Sequence, residues 1–223
     1  MIQNTDLLKR FTSLSGNFGI VSAFDLFSLD DKPRFEVLSP KELEICSNFA
    51  SLKRKVEFVA GRIACKKAFF KFTSGKTDCF ERFSSVSVLN TETGVPFIEN
   101  SDLHVSISHS HGIAVASVSQ NLVGVDIEQI DPKRIQALKR MSKESPSEEA
   151  RELTVLWTLK ESLGKALLTG IIEEFGYYAT ENFRCEDEIY YCEFQNFPFS
   201  GIAIVDEKYA VSMVSTQNPD SYN

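Results

Sequence analysis

Two carboxylates stand two residues apart in Leu122-Val123-Gly124-Val125-Asp126-Ile127-Glu128. The branched apolar residues around them predict a strand, and strand side chains at i and i+2 share a face about 6.5–7 Å apart. Such a pair suits a hard divalent ion like Mg²⁺, which takes oxygens from one or two carboxylates, water and substrate phosphates. Taken alone, it more often marks a solvated strand end. Trp157, Glu161 and Lys165 recur at helical spacing and share one helix stripe. An acid and a base placed that way can move a proton and neutralise phosphate, or form an ordinary surface ion pair. Ser108-His109-Ser110-His111-Gly112 gathers hydroxyls, imidazoles and a turn glycine, groups that contact phosphate oxygens or simply make a polar turn. Basic residues collect at Lys53-Arg54-Lys55, Arg62 and Lys66-Lys67, and Arg62 and Lys66 share a helix face. That concentration can hold an anionic ligand or serve as a solvated face.

These residues need elements to carry them. A strand is predicted over 17–29. Ser39-Pro40-Lys41-Glu42 has the hydroxyl, proline and glutamate of a capped helix start. A long helix follows over 53–72 and is broken by Thr73-Ser74-Gly75. Two short extended pieces flank Thr93-Gly94-Val95-Pro96, and Val105 and Ile107 alternate with Ser106 and Ser108 as a strand. Strands over 113–119 and 122–128 are separated by Gln120-Asn121. If that dipeptide is a hairpin turn, Glu128 faces Ile113 and Asp126 faces Val115, which puts the Ser108–Gly112 turn beside the acids. Ser145-Pro146-Ser147-Glu148 repeats the capping box and predicts a helix through Leu153, Leu156, Trp157, Leu163 and Leu167 to Gly170. Strands over 189–195, 201–205 and 209–215 close the chain. The grammar of the first half recurs in the second, down to Gly61-Arg62…Lys67-Ala68 and Lys160-Glu161…Lys165-Ala166. The expected fold class is α+β, with similar halves over 1–120 and 121–223 packed as one unit.

Composition narrows the function. Of 223 residues 43% are hydrophobic and 25% charged, as in folded globular chains and unlike disordered or fibrous ones. The net charge of −7 argues against a nucleic-acid partner. No stretch approaches a membrane-spanning length, and the polar opening Met1-Ile2-Gln3-Asn4-Thr5-Asp6 lacks a secretory pattern. The expectation is a cytoplasmic protein with no membrane partner. Five cysteines without a C-x-x-C argue against structural zinc and a disulfide framework. They fit free thiols in a reducing compartment.

Three ordered motifs carry a family resemblance. Gly124-Val125-Asp126-Ile127-Glu128 resembles the G-[IV]-D-[IV]-E motif of the 4′-phosphopantetheinyl transferases. Trp157-Thr158-Leu159-Lys160-Glu161-Ser162-Leu163-Gly164-Lys165-Ala166 resembles their W-[ST]-x-K-E-[AS]-x-x-K-A motif, and Val105-Ser106-Ile107-Ser108-His109-Ser110 their strand ending in S-H-S. The resemblance spans about residues 40–170, and the length suits the larger, Sfp-type branch. That branch is monomeric, with two pseudo-equivalent halves forming a pseudo-dimer around one active-site cleft. The resemblance implies transfer of the 4′-phosphopantetheine arm of coenzyme A to a serine of an apo acyl carrier protein or peptidyl carrier domain, with release of adenosine 3′,5′-bisphosphate. It implies Mg²⁺, or Mn²⁺, held by Asp126, Glu128 and Glu161. Glu161 is the preferred base, with Glu128 the alternative, and Lys165 neutralises phosphate charge. Coenzyme A contacts fall on Ser108 and His109, near its 3′-phosphate, on Lys53 or Arg54, and on Arg62. Catalysis is expected from Asp126, Glu161 and Lys165. The residues after the catalytic helix, near Thr169–Phe183, match the carrier-docking region in position and equally fit a core strand. Val95 replaces the lysine of a common G-K-P, and His111 has no assigned role. The rival readings are a Mg²⁺-dependent nucleotide pyrophosphate hydrolase and a non-catalytic relative that binds coenzyme A or a carrier.

Overall fold

The computed structural model describes residues 4–28, 32–76, 79–143 and 145–216. Residue 29 of the expected first strand and opening residues 1–3 lie outside them. The chain begins with a helix that the polar opening did not predict, α1 (Asn4–Gly16), whose Leu7, Leu8 and Phe11 are buried. β1 (Val21–Leu26) follows, then α2 (Pro40–Ser47) and α3 (Leu52–Ser74). α2 starts as its sequence requires: Ser39 Oγ accepts from Glu42 N, and the Glu42 carboxylate accepts from Ser39 N at 2.7 Å. α3 stops where Gly75 adopts a left-handed φ of 70°, a conformation glycine takes without strain. β2 (Val88–Asn90), β3 (Pro96–Ile98), β4 (His104–Ser110) and β5 (Ile113–Ser119) complete this half.

The second half repeats the order: β6 (Val123–Gln129), α4 (Ile135–Met141), α5 (Ala150–Ala166), then β7 (Thr180–Glu186), β8 (Ile189–Phe194), β9 (Phe197–Val205) and β10 (Tyr209–Ser215). Both halves therefore run strand, short helix, long helix, four strands. The sheets match as well: β1-β5-β4-β3-β2 and β6-β10-β9-β8-β7, antiparallel throughout. The long helices pack on equivalent strands, α3 on β1 and β5, and α5 on β6 and β10. This is the expected α+β architecture of two similar halves. α1, with Ile113 and Val115 of one sheet and Val125, Ile127, Val211 and Met213 of the other, forms a core shared by both. No helix among the described residues is long and apolar enough to cross a membrane.

Two expectations need correction. The second capping box does not form, and α5 begins at Ala150 with Glu149 as an N-cap that makes no side-chain cap. Ser145 Oγ accepts from Ser147 N and Ser147 Oγ from Glu149 N, so both hydroxyls serve a local turn instead of a helix start. Nor do β5 and β6 make a hairpin. β5 pairs with β1 and β4, whereas β6 crosses into the other sheet and pairs with β10, so Asp126 faces Ser212 and Glu128 faces Ala210. The α4 helix and β7 are additions that the sequence reading did not include.

Candidate active site

The failed hairpin still leaves Ser108 beside Asp126, by another route. β4 and β6 lie against each other across the seam between the sheets, joined by side-chain bonds. Ser106 Oγ accepts from Val125 N at 3.0 Å, and Ser108 Oγ donates to Asp126 Oδ1 at 2.7 Å. α5 then closes on β6 from one face. An added Cβ at Gly124 would lie 1.8 Å from Ser162 O and 2.7 Å from Ala166 N, both helix backbone atoms. Glycine here is a contact requirement: only a hydrogen side chain lets strand and helix approach this closely. The approach brings Lys165 Nζ to Asp126 Oδ1 at 2.6 Å and to Val125 O at 3.2 Å.

Asp126 is 4% exposed. Its Oδ1 accepts from both Ser108 and Lys165, while its buried Oδ2 has no hydrogen-bond partner. Glu128 lies farther along the strand, half-buried, accepting from Arg134 Nη1 at 3.1 Å and from Trp157 Nε1 at 3.3 Å. Trp157 is braced edge-on by Phe175. Glu161, one turn after Trp157, is held above the usual carboxylate range by burial first, then by the neighbouring Asp126 and Glu128 charges; Lys165 and Arg134 oppose the rise. Each of the three acids thus stands within the electrostatic field of the others.

They do not close into a finished metal site. Among the described residues no three His, Cys, Asp or Glu side chains converge for a cation. Lys165 and Arg134 occupy two of the carboxylates instead. The residues nonetheless fit a hard divalent ion. The donors are all oxygens, and a buried carboxylate oxygen without a partner is the atom such an ion would satisfy.

A cleft of about 570 Å³ is lined by His109 and Ser110 at the end of β4, by the His111-Gly112 turn, by Phe27 and by Lys53 and Glu57 of α3. His109 is exposed as part of its wall. The surrounding protein still desolvates the ring enough to lower its pKa, with Glu57 opposing and Arg54 assisting. Lys53 lies 3.9 Å from Glu57, and the Arg54 guanidinium lies over the Phe49 ring.

Arg62 goes elsewhere. It is 6% exposed, stacked over Phe58, and its Nη2 donates to Asn90 Oδ1 at 2.6 Å. Asn90 Nδ2 in turn donates to Gly94 O, so Arg62 underlies the turn carrying Val95 and does not line the cleft. Lys66 is fully buried and bonds Glu42 at 2.5 Å. The helix face these two cations share is therefore an internal ion network around Glu42, neither the anion-holding face nor the solvated one that the sequence allowed. The 169–183 segment splits: Tyr178 is buried and stacked with Phe197, whereas Ile172 and Tyr177 remain exposed, as does Leu168 just before the segment.

Sequence reasoning missed Arg134, Ser106 and Glu57. Arg134 follows Asp131-Pro132 in a short turn without periodicity, and nothing in its spacing from Glu128 announces the ion pair. Ser106 could have been found, because it shares a strand face with Ser108.

Residues 44–119 match the model of the 4′-phosphopantetheinyl transferase N-terminal domain. Residues 122–213 match that of the 4′-phosphopantetheinyl transferase superfamily. A holo-[acyl-carrier-protein] synthase of Petrotoga mobilis is 34% identical over 105 residues, covering 40% of this chain and 82% of that protein. The enzyme of the same name from Enterococcus faecalis is 38% identical over 89 residues, covering 37% and 72%. A crystal structure of the Bacillus anthracis holo-(acyl-carrier-protein) synthase in complex with CoA (3′,5′-ADP) is 32% identical, covering 45% of this chain and 93% of that one, with a TM-score of 0.36. With both halves matched in order by models of one family, the chain belongs to the 4′-phosphopantetheinyl transferase superfamily.

Proposed function

We propose that this protein transfers the 4′-phosphopantetheine arm of coenzyme A to a serine of an apo acyl or peptidyl carrier protein. The observation that carries the reading is the grouping of Asp126, Glu128, Glu161, Lys165 and Ser108 at one seam, with a buried carboxylate oxygen left unpartnered. Phosphoryl transfer from a pyrophosphate asks for charge neutralisation, in-line positioning and removal of one proton.

Asp126, Glu128 and Glu161 are the residues to hold Mg²⁺ or Mn²⁺. Such an ion supplies charge neutralisation at the pyrophosphate and orients its oxygens. Ser108 and His109 contact coenzyme A phosphates from the turn, and Lys53 or Arg54 adds positive charge at the cleft wall. Glu161, next to Asp126 and Lys165 on the seam, is the group to take the proton from the carrier serine. The serine oxygen bonds to the β-phosphorus while the bridging P–O bond breaks. Its electron pair leaves with adenosine 3′,5′-bisphosphate, and Lys165 stabilises the charge that develops. The exposed Leu168, Ile172 and Tyr177 offer an apolar surface for the carrier next to the catalytic helix.

The test is intact-mass spectrometry of several apo carrier proteins incubated with this protein, coenzyme A and Mg²⁺, with an EDTA control. A single EDTA-sensitive phosphopantetheine addition on serine is expected, and it should be lost in Asp126→Ala and Glu161→Ala. Consumption of coenzyme A without carrier modification would replace this reading with a pyrophosphate hydrolase.

A further inference from the structure

The turn that lines the cleft is held from two sides. On one side Phe27 N donates to Gly112 O at 2.8 Å, and a Cβ at Gly112 would lie 2.7 Å from Phe27 O. On the other, the phenol of Tyr209 crosses from the second half and donates to His111 O at 3.1 Å. Tyr209 is 1% exposed, and its ring belongs to the core shared by both sheets. It begins β10, where it pairs with Gln129, beside the Ala210–Glu128 pair. One residue thus ties the acid strand's neighbour to the turn that carries His109, Ser110 and His111. His111 and Gly112 both have left-handed φ values, 43° and 90°, as the two-residue hairpin turn between β4 and β5 requires.

We infer that Tyr209 is a positioning residue that sets the distance between the phosphate-contacting turn and the acidic seam through its hydroxyl bond to His111 O. The inference rests on the transferase reading above, in which coenzyme A spans that distance. It also gives His111 a part to play: its carbonyl, not its ring, receives the strut. The ring stays exposed and shares a hydrogen bond of 3.0 Å with Ser110 Oγ.

Tyr209→Phe removes the hydroxyl and keeps the ring in the core. Loss of one neutral hydrogen bond predicts that KM for coenzyme A rises about five-fold while kcat stays within about two-fold. The same comparison with 3′-dephospho-coenzyme A should show almost no difference, since that donor lacks the group the turn would hold. Equal weakening toward both donors would mean a general structural defect and overturn the inference, and so would an unchanged KM. Hydrogen exchange of peptides covering 108–113 gives a readout independent of transfer. Faster exchange there in Tyr209→Phe, without a change in the core strands, is expected, and identical exchange would overturn the strut. If wild-type protein modified no carrier, the transferase reading would fail while the exchange result still decided the strut.

Discussion

Gly124→Ala should separate the acid strand from the catalytic helix. The added methyl would stand 1.8 Å from Ser162 O and 2.7 Å from Ala166 N, where ordinary contact begins at 3.4 Å. Neither neighbour can rotate away, because both are backbone atoms inside α5. Relief requires roughly 1.5 Å of separation between β6 and α5, in an interior packed without slack. The helix would take Glu161 and Lys165 with it, opening the 2.6 Å contact between Lys165 and Asp126. Misplacing reacting groups by about 1 Å lowers rates about 100-fold. Overpacking of this kind costs about 3 kcal/mol, which for a chain of this size lowers Tm by roughly 6–12 °C. The assay is the initial rate of carrier modification by intact mass, with a thermal melt alongside. Gly16→Ala serves as the control, because nothing lies within 4 Å of a Cβ there. A Gly124→Ala protein with wild-type rate and wild-type Tm would refute the view that this glycine exists for the strand–helix approach.

Four further outcomes follow from the same structure. Glu42→Ala strands Lys66 and Arg62 and leaves Ser39 N and Val88 N without their acceptor. It should lower unfolding free energy by about 3–5 kcal/mol in urea titration, and a loss under about 1 kcal/mol would contradict the buried hub. Four cysteines are buried and Cys185 is exposed, so one thiol should react rapidly with Ellman's reagent in the native protein and five in urea. Burial pushes the Cys65 thiol from 9.0 up to about 12. Its folded pKa lies above the unfolded one, so its stabilising contribution is complete below pH 9 and is lost as pH climbs toward the folded value, by up to about 4 kcal/mol. The urea-midpoint gap between wild type and Cys65→Ala should therefore narrow from pH 8 to pH 11, and parallel curves would count against it. Finally, Trp157 is the chain's single tryptophan and donates to Glu128. Mg²⁺ should change its fluorescence, and Glu128→Gln should abolish the change; an unaltered response would remove Glu128 from the cation set.

The parts of the fold that follow local rules were legible in the sequence. The Ser39–Glu42 box, the α3 stop at Gly75 and the alternation over β4 and β5 all involve contacts within a few residues, so residue type and spacing determine them. The second Ser-Pro-x-Glu met the same local rule and failed it, because Ser145 and Ser147 found nearer backbone partners. Strand pairing was not legible, since it depends on which edges the whole chain leaves free. The two-residue break at Gln120-Asn121 fits a hairpin as well as it fits a crossing between sheets. α1 was missed for a related reason. Its sparse apolar residues, Leu7, Leu8 and Phe11, make a helix worth forming only when two sheets are present to cover them.

The site shows the same division between residue type and placement. Asp126, Glu128, Glu161 and Lys165 could be nominated because three ordered motifs resemble those of one family; taken alone, the paired acids also fit a solvated strand end and the helical pair a surface ion pair. Arg62 and Lys66 look from sequence like equally good anion ligands, yet Glu42 draws both inward. What separates the two groups of cations is the location of the nearest buried carboxylate. Asp126 receives Lys165 on one oxygen and leaves the other unpartnered, whereas Glu42 has both oxygens engaged by Lys66, Ser39 N and Val88 N. A carboxylate whose bonds are complete stabilises the fold; one left short still has an oxygen free to take a ligand. By that criterion Asp126 is the acid we propose for the chemistry, and each half sets a lysine of its long helix on a carboxylate: Lys66 on Glu42, whose bonds are complete, and Lys165 on Asp126, whose Oδ2 is unpartnered.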